Sequence, residues 1–301
     1  MELGMVGLGR MGENMAARLV KGGHRAVGYS RTRSTVDAAV QDGIVPAYTL
    51  RSLVAKLHRP RAIWLMVPAG APTESAIDRL LPRLAKGDLL IDGGNSHYTD
   101  SIRHAQKARA AGIHFLDVGT SGGIWGRKEG YSMMIGGSKA DVAHLRPLFE
   151  TLAPAPDAGW GRVGGPGAGH FVKMVHNGIE YGMMEALGEG FAILKAKTDY
   201  ALDLAQIAEI WRYGSVVRSW LLDLTADALH HPRDLAHIAP FVQDSGEGRW
   251  TVQESIDLNV PAPIITLSLE QRIRSRVSDP FADKLLAAMR QEFGGHAIHT
   301  E

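Results

Sequence analysis

Lys173, His176, Asn177, Glu180 and Tyr181 stand at i, i+3, i+4, i+7 and i+8. On a helix that spacing is one face, the stripe that normally buries apolar side chains against neighbours. Here it carries an amine, an imidazole, an amide, a carboxylate and a phenol. Met174, Val175 and Ile179 are left to bury the other side. The set points proton donors and acceptors into one space, with an acid and a base two turns apart, roughly 10 Å along the axis. A lone Lys/Glu pair at this spacing would read more simply as a solvated face or an ion pair. Catalysis follows only if the rest of the chain supplies a cofactor and a substrate.

The N-terminus supplies the cofactor. Leu3 to Val6 reads as a short apolar strand, followed by Gly7, Leu8, Gly9, Arg10, Met11 and Gly12. An amphipathic helix continues through Ala16, Leu19 and Val20, and a second strand runs from Arg25 to Tyr29. Strand, G-x-G-x-x-G, helix and strand within about 30 residues is the setting a dinucleotide fingerprint requires. Its glycines let the backbone turn and approach a pyrophosphate held at the helix N-terminus. No targeting segment is expected ahead of it. The second strand ends in Ser30-Arg31-Thr32-Arg33 rather than in the acid that holds the ribose hydroxyls of NAD. Two guanidinium groups and nearby hydroxyls suit a 2′-phosphate, so NADP is favoured, with NAD still open. Val67 and Asn95, at the ends of later strands, complete the expected cofactor-facing set.

Composition narrows the class without naming a chemistry. The 301 residues give room for two domains. Lys plus Arg is 33 against 32 for Asp plus Glu, so no global charge asymmetry suggests nucleic acid or membrane as a partner. Cysteine is absent, which excludes disulfides, thiolate metal sites and thiol catalysis and is compatible with a reducing cytoplasm. His230-His231 is an adjacent pair whose side chains diverge on a helix, and no metal site is expected.

Further strands are expected at Ala62 to Val67, Asp88 to Asp92, Ile113 to Val118 and Gly130 to Gly137. Helices are expected at Thr73 to Leu84, Thr99 to Ala111 and Lys139 to Phe149. Such alternation builds a mostly parallel sheet, doubly wound, whose ligands bind at the carboxyl ends of the strands. The Pro- and Gly-rich stretch Ala153 to Gly169 closes this domain, and a long proline-free helix to about Lys197 opens a largely helical second one. The expected fold is therefore α/β plus all-α: a Rossmann-type domain over 1–165 and a helical substrate and dimerisation domain over 166–301.

The chain resembles 6-phosphogluconate dehydrogenase (decarboxylating), in its short form, within the β-hydroxyacid dehydrogenase superfamily. Six segments carry the resemblance: the glycine fingerprint through Asn14, Ile91 to Asn95, Gly119 to Gly123, Lys173 to Tyr181, Gly246 to Thr251, and Phe293 to His296. The Lys-x-x-His-Asn-x-x-Glu-Tyr helix is the most specific of them. The resemblance implies Lys173 as the base that takes the 3-hydroxyl proton and Glu180 as the acid that protonates carbon 1 of the enediol. It implies that Asn95, Ser121, Gly122, Gly123, His176 and Asn177 hold the sugar acid, and that Tyr181 and Arg272 hold its phosphate. Arg290 and His296 match tail residues that reach a partner subunit's site, so a homodimer or homotetramer with tail-completed sites is expected.

These roles make physical sense. A basic lysine must be neutral, which burial beside another cation favours, and an acidic glutamate must be protonated, which an apolar wall favours. No metal is needed, because the β-keto acid is its own electron sink. Three positions depart from the family pattern. Ser245 stands where long forms often carry a phosphate-holding lysine, with Arg249 as a possible substitute. Pro68 replaces another lysine, and Ser30 replaces the Asp of NAD-preferring short forms. Two other readings stay open: a dehydrogenase of a small unphosphorylated hydroxyacid, and a noncatalytic nucleotide-sensing protein.

Overall fold

The structure is a computed structural model and describes residues 1–231, 235–294 and 297–299. The chain divides into two compact units, Met1–Asn177 and Gly178–Glu301. The first unit holds strands β1 (Glu2–Val6), β2 (Arg25–Tyr29), β3 (Val45–Ala47), β4 (Ala62–Leu65), β5 (Leu89–Asp92), β6 (His114–Ser121), β7 (Ser132–Gly136) and β8 (Trp160–Gly164). They form one sheet in the order β3-β2-β1-β4-β5-β6-β7-β8. The strands run parallel through β6; β7 is antiparallel to β6, and β8 is parallel to β7. Between them lie α1 (Arg10–Lys21), α2 (Arg33–Ala39), α3 (Leu50–Ala55), α4 (Ala71–Leu80), α5 (Tyr98–Ala110), α6 (Gly126–Glu129) and α7 (Lys139–Leu152).

Side chains alternate across the sheet, so both faces are buried. On β4, Trp64 joins a core with Leu3, Met5, Met15, Leu116 and Phe149. Its neighbours Ile63 and Leu65 join a separate core with Val27, Ile77, Leu90 and Phe115. This is why the inner strands read as continuous apolar runs. The two strands not expected from sequence, β3 and β8, are the two edges of the sheet. An edge needs no such run: β3 carries Pro46, which an edge tolerates, and β8 lies within the Pro- and Gly-rich stretch.

Helix α8 (Ala168–Ala196) runs for 29 residues, begins in the first unit and continues in the second. The second unit adds α9 (Leu204–Arg212), α10 (Trp220–His230), α11 (Glu247–Asp257), α12 (Pro263–Arg274) and α13 (Phe281–Gly294). Its core joins Phe191 of α8 to Ala208, Leu222 and Ala226, with Leu187 and Leu194 packed against them. None of the helices in the described residues is long and apolar enough to cross a membrane. The architecture is a doubly wound, mostly parallel Rossmann-type sheet followed by a helical domain.

Candidate active site

The glycine loop after β1 divides its work among three residues. Gly7 sits at φ +99, in the left-handed region, and a Cβ there would lie 2.3 Å from the Met66 carbonyl oxygen. A Cβ on Gly12 would lie 1.9 Å from the Gly7 carbonyl oxygen, so helix and loop touch backbone to backbone. Gly9, which caps α1 without a side-chain hydrogen bond, would meet nothing within 4 Å. A tight turn, an open approach to uncapped N–H groups and a close helix contact are what a bound pyrophosphate requires. The residues present therefore fit a dinucleotide.

Beside this loop a cavity of about 300 Å³ is lined by Gly7, Gly9, Ser30, Arg31 and Val67, with Arg79 from α4. Leu8 is buried in the core and does not line this cavity. Thr32 is the N-terminal cap residue of α2 and does not line the cavity. Arg33 does not reach it either: its guanidinium lies 4.6 Å above the Tyr48 ring and 3.8 Å from Asp37.

At the ends of β5 and β6 a second group of loops is fixed by buried polar residues. Asp92, fully buried, accepts hydrogen bonds from the Gly94 N–H (3.0 Å) and the Ser96 hydroxyl (2.8 Å). Asn95 is held at φ +52 and exchanges two hydrogen bonds with the Thr120 backbone, at 3.0 and 3.2 Å. Its amide thus ties one strand-end loop to the next, immediately before Ser121, Gly122 and Gly123. Gly122 and Gly123 take φ +133 and +51.

Helix α8 is docked onto β6 by a buried carboxylate that the sequence motifs did not flag. Asp117, 0 % exposed, accepts from the Gly167 N–H at 2.7 Å and the His170 N–H at 2.9 Å. A negative charge at the helix N-terminus meets uncapped donors and the positive end of the dipole. His170 is also buried, with Nδ1 2.7 Å from the Ser101 hydroxyl. Glycines make the approach close: a Cβ on Gly119 would lie 2.3 Å from Lys173 Cβ, and one on Gly169 2.4 Å from the Asp117 carbonyl oxygen.

The outcome is that Lys173, only 5 % exposed, lies against the strand that leads into Ser121. His176 Nδ1 lies 3.5 Å from Lys173 Nζ and 3.0 Å from Asn177 Oδ1. Lys173, His176 and Asn177 are therefore gathered within one unit. Glu180 follows on the same helix face and is half-buried. The polar stripe is the inward side of α8 at Lys173 and Tyr181, both buried, whereas Ile179, expected to bury the opposite side, is 53 % exposed. Met174 is buried as expected.

In the second unit Tyr181 and Arg272 meet. The Arg272 guanidinium lies 3.4 Å from the Tyr181 ring centroid, both side chains are buried, and Arg272 donates to the Gln243 carbonyl at 3.2 Å. The ring fits because position 248 is glycine: a Cβ there would lie 2.4 Å from Tyr181 Cε2. The Tyr181 hydroxyl accepts from the Ser245 N–H at 3.3 Å, and the Ser245 hydroxyl donates to Glu247. Arg249, the possible phosphate ligand, instead donates twice to Asp244, at 3.0 and 3.1 Å. Arg249 and then Arg276, bonded to the same carboxyl at 2.7 Å, hold Asp244 down at about 2. A cavity of about 420 Å³ beside Arg272 is lined also by Glu185, whose carboxyl is pushed up chiefly by burial and then by Glu189. Arg290 is exposed on α13, and His296 lies outside the described residues.

Two family models match the chain. Residues 2–161 match the NAD binding domain of 6-phosphogluconate dehydrogenase, and residues 169–291 match the C-terminal domain of that enzyme. A Haloferax volcanii enzyme, an NAD⁺-dependent decarboxylating 6-phosphogluconate dehydrogenase, is 43 % identical over 99 % of this chain and 98 % of its own. A decarboxylating 6-phosphogluconate dehydrogenase of Synechococcus elongatus is 37 % identical over 92 % of this chain but only 62 % of its own. Among solved structures, Plasmodium falciparum 6-phosphogluconate dehydrogenase, studied with NADP⁺ and with 6-phosphogluconate, superposes with a TM-score of 0.84 at 29 % identity. All of this chain and 66 % of that one are covered. The two matched spans point to one group of enzymes, and the chain belongs to the 6-phosphogluconate dehydrogenase family.

Proposed function

We propose that the protein catalyses the oxidative decarboxylation of 6-phospho-D-gluconate to D-ribulose 5-phosphate and carbon dioxide, with NADP preferred to NAD. The observation that carries the proposal is the inward polar face of α8, which buries Lys173 beside the β6 loop and gathers His176 and Asn177 around it. When bound, the nicotinamide cofactor supplies the acceptor for the hydride that leaves carbon 3. Lys173, buried on the inward face of α8, accepts the 3-hydroxyl proton. The ketone so formed takes up the electron pair as carbon dioxide departs, so the step needs no metal ion. The enolate oxygen takes back a proton from Lys173 to give the enediol, and Glu180 then gives a proton to carbon 1 while Lys173 removes the enol hydroxyl proton. The proton gained by Lys173 balances the one given by Glu180, and turnover consumes none overall.

The remaining residues hold the substrate. Asn95, Ser121, Gly122, Gly123, His176 and Asn177 offer amides, a hydroxyl, backbone N–H groups and an imidazole to a carboxylate and a row of hydroxyls. Tyr181 and Arg272 take the phosphate, for which a guanidinium already oriented over a ring is well suited. The preference for NADP rests on Ser30 and Arg31 at the cavity beside Gly7 and Gly9, where no carboxylate is among the described lining residues. Assembly belongs to the same proposal: the unit is at least a dimer, with Arg290 and His296 completing a partner's site.

Steady-state turnover tests the reading. The protein is expected to oxidise 6-phosphogluconate with release of one carbon dioxide per reduced nucleotide, to favour NADP, and to leave unphosphorylated gluconate nearly untouched. Equal rates on gluconate and its phosphate would replace the substrate assignment, and reduced nucleotide without carbon dioxide would remove the decarboxylation.

A further inference from the structure

The cavity next to the glycine loop contains a cation that no sequence motif announces. Pro72, Ser75, Ala76 and Arg79 all line it, and their spacing of i, i+3, i+4 and i+7 makes them one face of α4. Three of the four are small or apolar, as suits a wall for a flat base, and the fourth is a guanidinium. Arg31 lines the same cavity from the end of β2. Among the described residues, neither the Arg31 nor the Arg79 side chain has an ion pair, a hydrogen bond or a ring contact within the protein. Arg33, the other guanidinium of the Ser-Arg-Thr-Arg stretch, is already engaged by Asp37 and Tyr48.

We propose that Arg79 is a specificity-determining residue that reads the adenosine 2′-phosphate together with Arg31. Two unpaired guanidinium groups on one cavity, with no acid among its described lining residues, form a site for a doubly charged oxyanion. A ribose bearing only hydroxyls gives them nothing to neutralise. The pairing comes from two elements, the β2 end and the last turn of α4, so the phosphate is bound only when both are in place. The bland reading is that Arg79 complements the C-terminal dipole of α4 and is otherwise solvated.

The inference rests on the proposed NADP preference, and one experiment separates the two. Calorimetric titration of the full-length protein with adenosine 2′,5′-bisphosphate and with adenosine 5′-phosphate reads the 2′-phosphate alone, without turnover. The parent protein is expected to bind the bisphosphate more tightly. Arg79→Ala should weaken bisphosphate binding about ten- to a hundredfold, the range of a charged hydrogen bond, with a far smaller effect on the monophosphate. Arg79→Lys should recover part of the loss, and Arg33→Ala should lose little. If the parent does not discriminate between the two ligands, the NADP reading and this inference fall together. If the parent discriminates and Arg79→Ala does so equally well, only the role of Arg79 is overturned. Equal weakening of both ligands by Arg79→Ala, or an equal loss on Arg33→Ala, would also overturn it, by assigning the effect to local packing or to the general field.

Discussion

Lys173, the proposed base, is positioned by what it displaces. Its Cβ occupies space that a side chain at position 119 would take, and its Nζ lies 3.5 Å from His176 Nδ1. Removing that amine removes a proton acceptor without removing the wall. Lys173→Met is therefore expected to lower kcat by about 10²–10⁴-fold while nucleotide affinity stays near the parental value. A variant turning over near the parental rate would move the base elsewhere. At this scale much of the candidate site was legible: a 3.6-residue period placed Lys173, His176 and Asn177 on one face, and the fold gathers them. What was not legible depends on distant partners. Arg33 looked equivalent to Arg31 until Tyr48, fifteen positions on, was found beneath it. Arg79 carried no signal, because a single arginine on an amphipathic helix is ordinary and only the folded cavity gives it company. Asp117 was hidden by its setting in an apolar strand, and its partners are N–H groups some fifty residues away.

Between elements the fit depends on glycines and on one acid, and both can be tested. Gly119→Ala would put a Cβ 2.3 Å from that of Lys173, too close for either to remain, and neither belongs to a flexible side-chain end. Helix α8 must shift, at a cost of about 1–3 kcal/mol. A displacement near 1 Å at the base is expected to cost about 10²-fold in kcat, disproportionate to the loss of stability. Rates unchanged within about twofold would show that this contact does not set the position of Lys173. The acid is Asp244 in the helical unit. Its carboxyl is held at about 2 against an ordinary 3.8, mainly by Arg249 and also by Arg276. A lowered folded-state value stabilises the fold above the unfolded value and ceases to do so as pH falls through the folded one. Asp244→Asn should thus cost about 1–2 kcal/mol near neutrality, a figure reduced for the half-exposed Arg249, and the gap should close between about pH 4 and pH 2. Urea midpoints of the two proteins at both ends of that range give the comparison. A difference that does not change with pH would make the role of Asp244 steric. Sequence periodicity found the inner strands and α8 because burial on both faces, or on one stripe, writes a pattern. It missed β3 and β8 because edge strands are free of that demand.

The whole molecule carries more apolar surface on its helical unit than that unit covers. Leu187, Phe191 and Leu194 of α8 are packed within the unit against Ala208, Leu222 and Ala226. Exposed apolar surface remains on α8 at Met183 and Met184, 42 % each, and at Ile193, 71 %, and beyond it at Phe281, 75 %, and Ile264, 69 %. Exposed apolar groups in such number favour association, and a two-fold arrangement covers the same patch on both copies. Arg290 is exposed on α13. If that residue serves a partner's site, two inactive proteins should restore each other. Lys173→Met subunits keep a working tail, and Arg290→Ala subunits keep a working base. In a hybrid dimer acting in trans, one of the two sites has both residues intact. Equal mixing with random exchange makes half the dimers hybrid, so about a quarter of the parental activity should return, rising with the extent of exchange. Mass spectrometry of the mixture reports how many hybrids have formed. Verified hybrids without activity would show that Arg290 acts in its own subunit or not at all.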